Sequence, residues 1–80
     1  MKLLRLYHRT DCHLCEEMLE QLEELRRTLG FELEQVDIDT DAGLKARYGY
    51  QVPVLEDASG HRLCEVFLDP TSVMNYLRDA

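Results

Sequence analysis

Two of the three cysteines in this chain stand three positions apart, in Cys12-His13-Leu14-Cys15. On a first helical turn that spacing puts both sulfurs on one face. They are then close enough to form a disulfide or to share one metal ion. The thiolate is the reactive form in both cases. A helix N-terminus stabilises it, because unpaired N–H groups and the positive end of the dipole point at the sulfur. Cys12 takes that place and is the expected nucleophile. Cys15, one turn on, is expected to be more buried and able to attack a mixed disulfide formed at Cys12. Nearby charge acts both ways. Arg9, with His8 and His13 when protonated, favours the Cys12 thiolate, while Asp11, Glu16 and Glu17 oppose it. A modest net gain for the thiolate is expected, since backbone donors touch the sulfur and exposed carboxylates are screened.

Metal binding is the competing chemistry. His61 and Cys64 form an HxxC pair, which with Cys12 and Cys15 would give a tetrahedral zinc set. An alternating strand, however, sends positions three apart to opposite faces. Soft-metal carriers also place CxxC after a first strand, but they end on a strand and this chain ends on a helix. No metal ligands are therefore assigned. Cys64 reads as a small core or edge residue, and His8 and His61 as surface residues.

The elements that position the cysteines are legible in the patterning. Lys2 to Tyr7 is leucine-rich and reads as a central strand. Thr10 or Asp11 is the expected helix cap. Leu14, Met18, Leu22, Leu25 and Leu29 form one helical stripe over residues 13 to 29. Acids crowd the first turns of that helix and arginines the last, and Gly30 ends it. Phe31 to Ile38 alternates as a strand, with an irregularity expected near Gln35. The acids Asp37, Asp39 and Asp41 read as caps and solvated residues. Ala42 to Tyr48 is a short helix closed by Gly49. Val52-Pro53-Val54-Leu55 and Arg62 to Val66 are strands joined by the turn residues Asp57-Ala58-Ser59-Gly60. Asp69-Pro70 opens a last helix whose inward face is Val73, Met74 and Leu77. The order is βαβαββα. It predicts an α/β fold with a four-stranded mixed sheet and helices on both faces.

Eighty residues predict one domain over 1–80 with a small core. Hydrophobic residues are 45% and charged residues 31%, a globular rather than a disordered balance. No apolar run approaches the roughly 18 residues of a membrane span, and Met1 to Leu6 is too short and interrupted for a signal peptide. A cytoplasmic monomer is expected. Sixteen acidic against nine basic residues give a net charge of −7. That charge disfavours nucleic acid and anionic membranes as partners and suits a neutral or basic protein.

The stretch Leu6-Tyr7-His8-Arg9-Thr10-Asp11-Cys12-His13-Leu14-Cys15 resembles the active-site region of a glutaredoxin. The resemblance runs on through Val36-Asp37-Ile38-Asp39, Tyr48-Gly49 and Val52-Pro53-Val54, and so covers nearly the whole chain. It implies a thioredoxin-like, glutaredoxin-type fold and a thiol–disulfide oxidoreductase acting on disulfide-bearing proteins or small thiols in cell redox homeostasis. Cys12 would be the nucleophile and Cys15 the resolving thiol. Arg9 falls where glutaredoxins carry a lysine beside the thiolate, and His13 lies within the motif to tune it. Pro53 would be a cis-proline facing the pair, with Val52 offering its backbone to a substrate strand. No tightly bound cofactor is implied; glutathione is a candidate co-substrate. The chain departs from the family in two places. His-Leu replaces Pro-Tyr between the cysteines. A Gly-Gly pair before the last helix, which helps to hold glutathione, is replaced within Cys64-Glu65-Val66-Phe67-Leu68-Asp69-Pro70. The alternative reading is a non-enzymatic module of the same fold that binds a protein or a metal through the CxxC.

Overall fold

A computed structural model describes residues 1–79. Strand β1 (Leu3–His8) leads into helix α1 (His13–Leu29), and strand β2 (Glu32–Asp37) lies parallel to β1. A single 3₁₀ turn (Ile38–Thr40) precedes helix α2 (Ala42–Tyr48). Strands β3 (Val54–Asp57) and β4 (Arg62–Glu65) form an antiparallel hairpin, and helix α3 (Pro70–Arg78) follows. The sheet order is β2-β1-β3-β4, with β3 antiparallel to β1. This is the expected βαβαββα mixed sheet.

Alternation along the two central strands divides the interior into two packs. Leu4, Leu6 and Leu55 pack with Met18 and Leu22 of α1 and Val73 of α3. Tyr7 and Val54, the neighbouring positions, pack on the other face with Ile38 and Tyr48. Helices therefore cover both faces. The Tyr76 hydroxyl donates to the Leu3 carbonyl at 3.0 Å and fastens α3 to β1.

Several local expectations give way to simpler physics. The cap of α1 is Cys12, not Thr10 or Asp11: its sulfur accepts the Cys15 N–H at 3.2 Å. Asp11 instead takes φ +57, a left-handed conformation that Asp tolerates better than most residues. The β1–β2 register is regular through Gln35, and the irregularity falls between Leu55 and Glu56 on the hairpin. β4 stops at Glu65, one residue short of Val66. Gly49 closes α2 in a right-handed conformation, φ −49. Its missing side chain matters for space, since a Cβ there would sit 2.5 Å from the Lys45 carbonyl oxygen. The Asp57 carboxylate orders the hairpin turn by accepting the Ser59 and His61 N–H groups at 2.8 and 3.0 Å. Gly60 supplies the positive φ, +89, that the turn requires.

Candidate active site

The strand pairings bring four chain segments to one end of the sheet. β1 and β2 end side by side, His8 opposite Asp37. Tyr7 pairs with Val54 and Val54 with Glu65, so β3 begins and β4 ends at that same edge. The CxxC turn, the Asp37–Asp41 turn, the Val52-Pro53 turn and the Val66-Phe67 segment all leave from there. Ligand sites of open α/β sheets gather at the carboxyl ends of the parallel strands.

Cys12 and Cys15 are joined by a disulfide, with Cα atoms 5.2 Å apart. Cys15 is buried at 3% exposure, and Cys12 is partly exposed. The Glu16 N–H donates to the Cys12 carbonyl at 3.1 Å, the first full helical bond of α1. Cys12 thus stands half outside the helix, where its sulfur accepts the otherwise unpaired Cys15 N–H of the first turn. Cys15 follows inside the first turn on the buried face. Order of exposure and order along the helix agree: Cys12 is the sulfur nearer to solvent.

Arg9 does not stand free beside the sulfur. Its guanidinium grips Asp39 through two nitrogens, at 3.0 and 3.3 Å. Lys45 approaches the same carboxylate at 3.8 Å. Arg9 does share a cleft of about 260 Å³ with Cys15, His8 and Glu16. Its charge is therefore near the pair but partly neutralised. Asp39, read from sequence as a solvated acid, is the residue that holds Arg9. The signal for it is register: β1 and β2 are parallel, so residues just past His8 and Asp37 come together. His13 is largely exposed and turns along the helix to Glu17, 3.2 Å away.

The Val52–Pro53 peptide is cis, as the resemblance implies, and Pro53 is fully buried. The Pro53 carbonyl accepts the Val66 N–H at 2.7 Å. Val66 itself has φ +67, and the Phe67 N–H turns back to the Glu65 carbonyl at 2.7 Å. A β-branched residue in this region is a conformational outlier. It stands within the segment where the resemblance leads one to look for glycines. Val66 thus carries a side chain at a φ suited to glycine, and Phe67 beside it projects outward at 69% exposure.

The third cysteine is free. Cys64 packs against the Leu4–Leu22–Val73 core, and burial pushes its thiol pKa up. His61 lies on the exposed hairpin turn against Asp57, 3.5 Å away. Among the described residues no three His, Cys, Asp or Glu side chains are grouped to hold a metal ion. Strict alternation fails on β4, where the hairpin irregularity lets Leu63 and Cys64 both pack on one core.

A cysteine pair joined as a disulfide at the mouth of the first helix, with the Val52-Pro53 turn at the same end of this sheet, marks a thioredoxin-fold protein of the redox type. Oxidized mitochondrial thioredoxin 3 of Saccharomyces cerevisiae shares the fold, with a TM-score of 0.66 at 19% identity over 99% of this chain and 78% of that one. The chain belongs to the glutaredoxin-like domain family (DUF836), whose profile matches residues 3–78. Protein Ne2328 of Nitrosomonas europaea is similar at 39% identity and a TM-score of 0.84, with 94% of this chain and 89% of that one covered. Protein XcR50 of X. campestris is similar at 38% identity and a TM-score of 0.76, with 96% and 97% covered. The uncharacterized protein Rv0508 of Mycobacterium tuberculosis is 38% identical over 79% of this chain and 71% of its own.

Proposed function

We infer that the chain is a thiol–disulfide oxidoreductase. The observation that carries this is the Cys12–Cys15 disulfide, with one sulfur partly exposed at a helix mouth and the other buried behind it. In the reduced protein the Cys12 thiolate attacks one sulfur of a substrate disulfide. The substrate S–S bond breaks, one substrate thiolate leaves and takes up a proton, and Cys12 carries the other half as a mixed disulfide. The Cys15 thiolate then attacks the Cys12 sulfur and expels that half as a second thiol. The substrate gains two electrons and two protons, and the protein is left with its own disulfide. An external thiol pair, from two glutathione molecules or a dithiol reductase of thioredoxin type, returns it to the dithiol. Val52, just before β3, offers its backbone groups to an extended substrate; its place in the turn that leads to Pro53 supports this reading. Arg9, held by Asp39, and His13, exposed beside Cys12, act on the incoming group.

Cys15→Ser tests this directly. It removes the resolving thiol and should accumulate a mixed disulfide at Cys12 that mass spectrometry detects. Cys12→Ser should accumulate none. Reduction of the wild-type protein should add two hydrogens and leave both cysteines open to alkylation. A zinc ion that blocks alkylation of both would overturn the reading in favour of a metal-binding module. Coupling turnover in turn to glutathione reductase and to thioredoxin reductase identifies the electron donor.

A further inference from the structure

The redox pair sits at one end of a longer surface feature. Where α1 faces the segment joining β4 to α3, a trough runs away from the CxxC turn. Its near end is lined by Leu14, from between the two cysteines, together with Glu17, Val66 and Phe67. Its far end is a hollow of about 400 Å³ over Leu25, Leu68 and Pro70, rimmed by Glu20 and Glu24. The two ends share Gln21 and Leu68, so the trough is continuous. Leu14 and Leu25 belong to the apolar stripe of α1, yet neither is fully buried, unlike Met18 and Leu22 between them. Phe67 adds a large exposed ring at the lip.

The rim is acidic on one side and has no cation on the other. Glu17, Glu20 and Glu24 follow one another at helical spacing along α1. Glu17 and Glu24 have only exposed partners, His13 at 3.2 Å and Arg27 at 3.8 Å. Glu20 has no ionic partner among the described residues. The opposite wall, residues 66–70, contains no Lys or Arg, and its one acid, Asp69, caps α3. An apolar floor under an acidic rim that is only partly compensated, with Glu20 lacking an ionic partner among the described residues, selects an apolar segment that carries positive charge. From Leu14 to Leu25 a helix advances roughly 17 Å at 1.5 Å per residue. An extended chain spans that distance in about five residues.

We propose that this trough docks a basic, leucine-type segment of about five residues, adjoining the target disulfide in a protein substrate. Calling the partner a substrate rests on the oxidoreductase reading; the docking itself does not. The occupant lays apolar side chains over Leu25, Leu68 and Phe67 and sets Lys or Arg against Glu20 and Glu24. Its disulfide then lies at the Leu14 end, beside Cys12.

The probes are a fluorescent cysteine-free peptide of alternating leucine and lysine, its leucine–glutamate counterpart, the lysine peptide carrying a mixed disulfide, and a small organic disulfide. The lysine peptide is expected to bind about tenfold tighter than the glutamate peptide at low salt and to lose that margin at high salt. Amide shifts should map to Gln21, Leu25 and Leu68. The exposed pair of changes Glu20→Lys and Glu24→Lys should remove the preference and leave turnover of the small disulfide unchanged. Equal binding of the two peptides, shifts elsewhere, or self-association of the chain through these residues would overturn the docking proposal. Turnover of the small disulfide without peptide preference overturns the trough and leaves the oxidoreductase standing. Peptide binding as expected, with no disulfide turned over, does the reverse.

Discussion

On the face of the sheet away from α1, a buried carboxylate is kept by one hydroxyl. Glu56 is 4% exposed and Tyr48 is 1% exposed. The Tyr48 hydroxyl donates to the Glu56 carboxylate at 2.6 Å. The ring is fixed independently: it stacks on Tyr7 at 4.3 Å, and the Arg47 and Arg62 guanidinium groups lie 5.3 and 5.6 Å from its centre. Tyr48→Phe therefore removes the donor and little else. A hydrogen bond to a charged group is worth about 1.5–3 kcal/mol, and the larger part of its loss is the buried acceptor left unpaired. A loss of about 2 kcal/mol would lower the Tm of an 80-residue domain by roughly 8–16 °C. Against a small core that supplies about 3–5 kcal/mol, this is a large share. Urea and thermal unfolding followed by circular dichroism measure it. Glu56→Gln in the Tyr48→Phe background should recover part of the loss, because no charge is then stranded; the two changes are non-additive. A loss below about 0.5 kcal/mol, or additive changes, would refute the claim that the hydroxyl sustains the carboxylate.

The same pair fixes the alkaline limit. Burial first, then the hydrogen bond to Glu56 and its charge, push the Tyr48 phenol above its usual value. A group whose pKa is raised in the folded state gives stability that is complete below its unfolded value, about 10 for a phenol. That stability is lost as the pH climbs toward the folded value. Wild type should therefore lose stability faster above pH 10 than Tyr48→Phe does, and the gap between them should narrow.

Two further substitutions probe the backbone around the site. Val66→Gly should hold or raise stability, because relief of about 1–3 kcal/mol of left-handed strain outweighs the roughly 0.5–1 kcal/mol of added chain entropy. A Tm drop of several degrees would show that Val66 packing, not strain, dominates. Gly49→Ala should destabilise by about 1–3 kcal/mol, since its Cβ must displace the Lys45 carbonyl; an unchanged urea midpoint would contradict the close approach.

The sequence was most legible where one local signal sufficed. The leucine stripe of α1, the Asp69-Pro70 start of α3 and the hairpin turn depend on neighbours in the chain; all three are found, except that Leu29 at the end of the stripe is exposed. The CxxC announced itself because two thiols at helical spacing have few uses. What stayed hidden depends on register between distant segments. Asp39 meets Arg9 only because β1 and β2 run parallel and end together. Glu56 looks like any strand acid until Tyr48, on a different element, is placed above it. The hairpin irregularity at Leu55 and Glu56 is set by strand pairing, and no residue type marks it. Cys12 as its own helix cap was missed for another reason. Thr and Asp are better caps by type, and only the backbone geometry shows the sulfur in the cap position.

The unusual backbone at Val66 connects these observations. Its N–H reaches the Pro53 carbonyl, so the segment after β4 is tied to the turn beside the redox pair. A glycine would take the same φ without strain and would leave the site lip bare. Valine takes it under strain and carries the chain on to Phe67 and Leu68, which form the near wall of the acidic trough. Residues held in sparse conformations persist where the surroundings fix them, and such places cluster at binding sites. The arrangement keeps the shape of a bare lip and fills it with apolar side chains. It puts the exposed Phe67 ring one residue past the hydrogen bond between Val66 and Pro53.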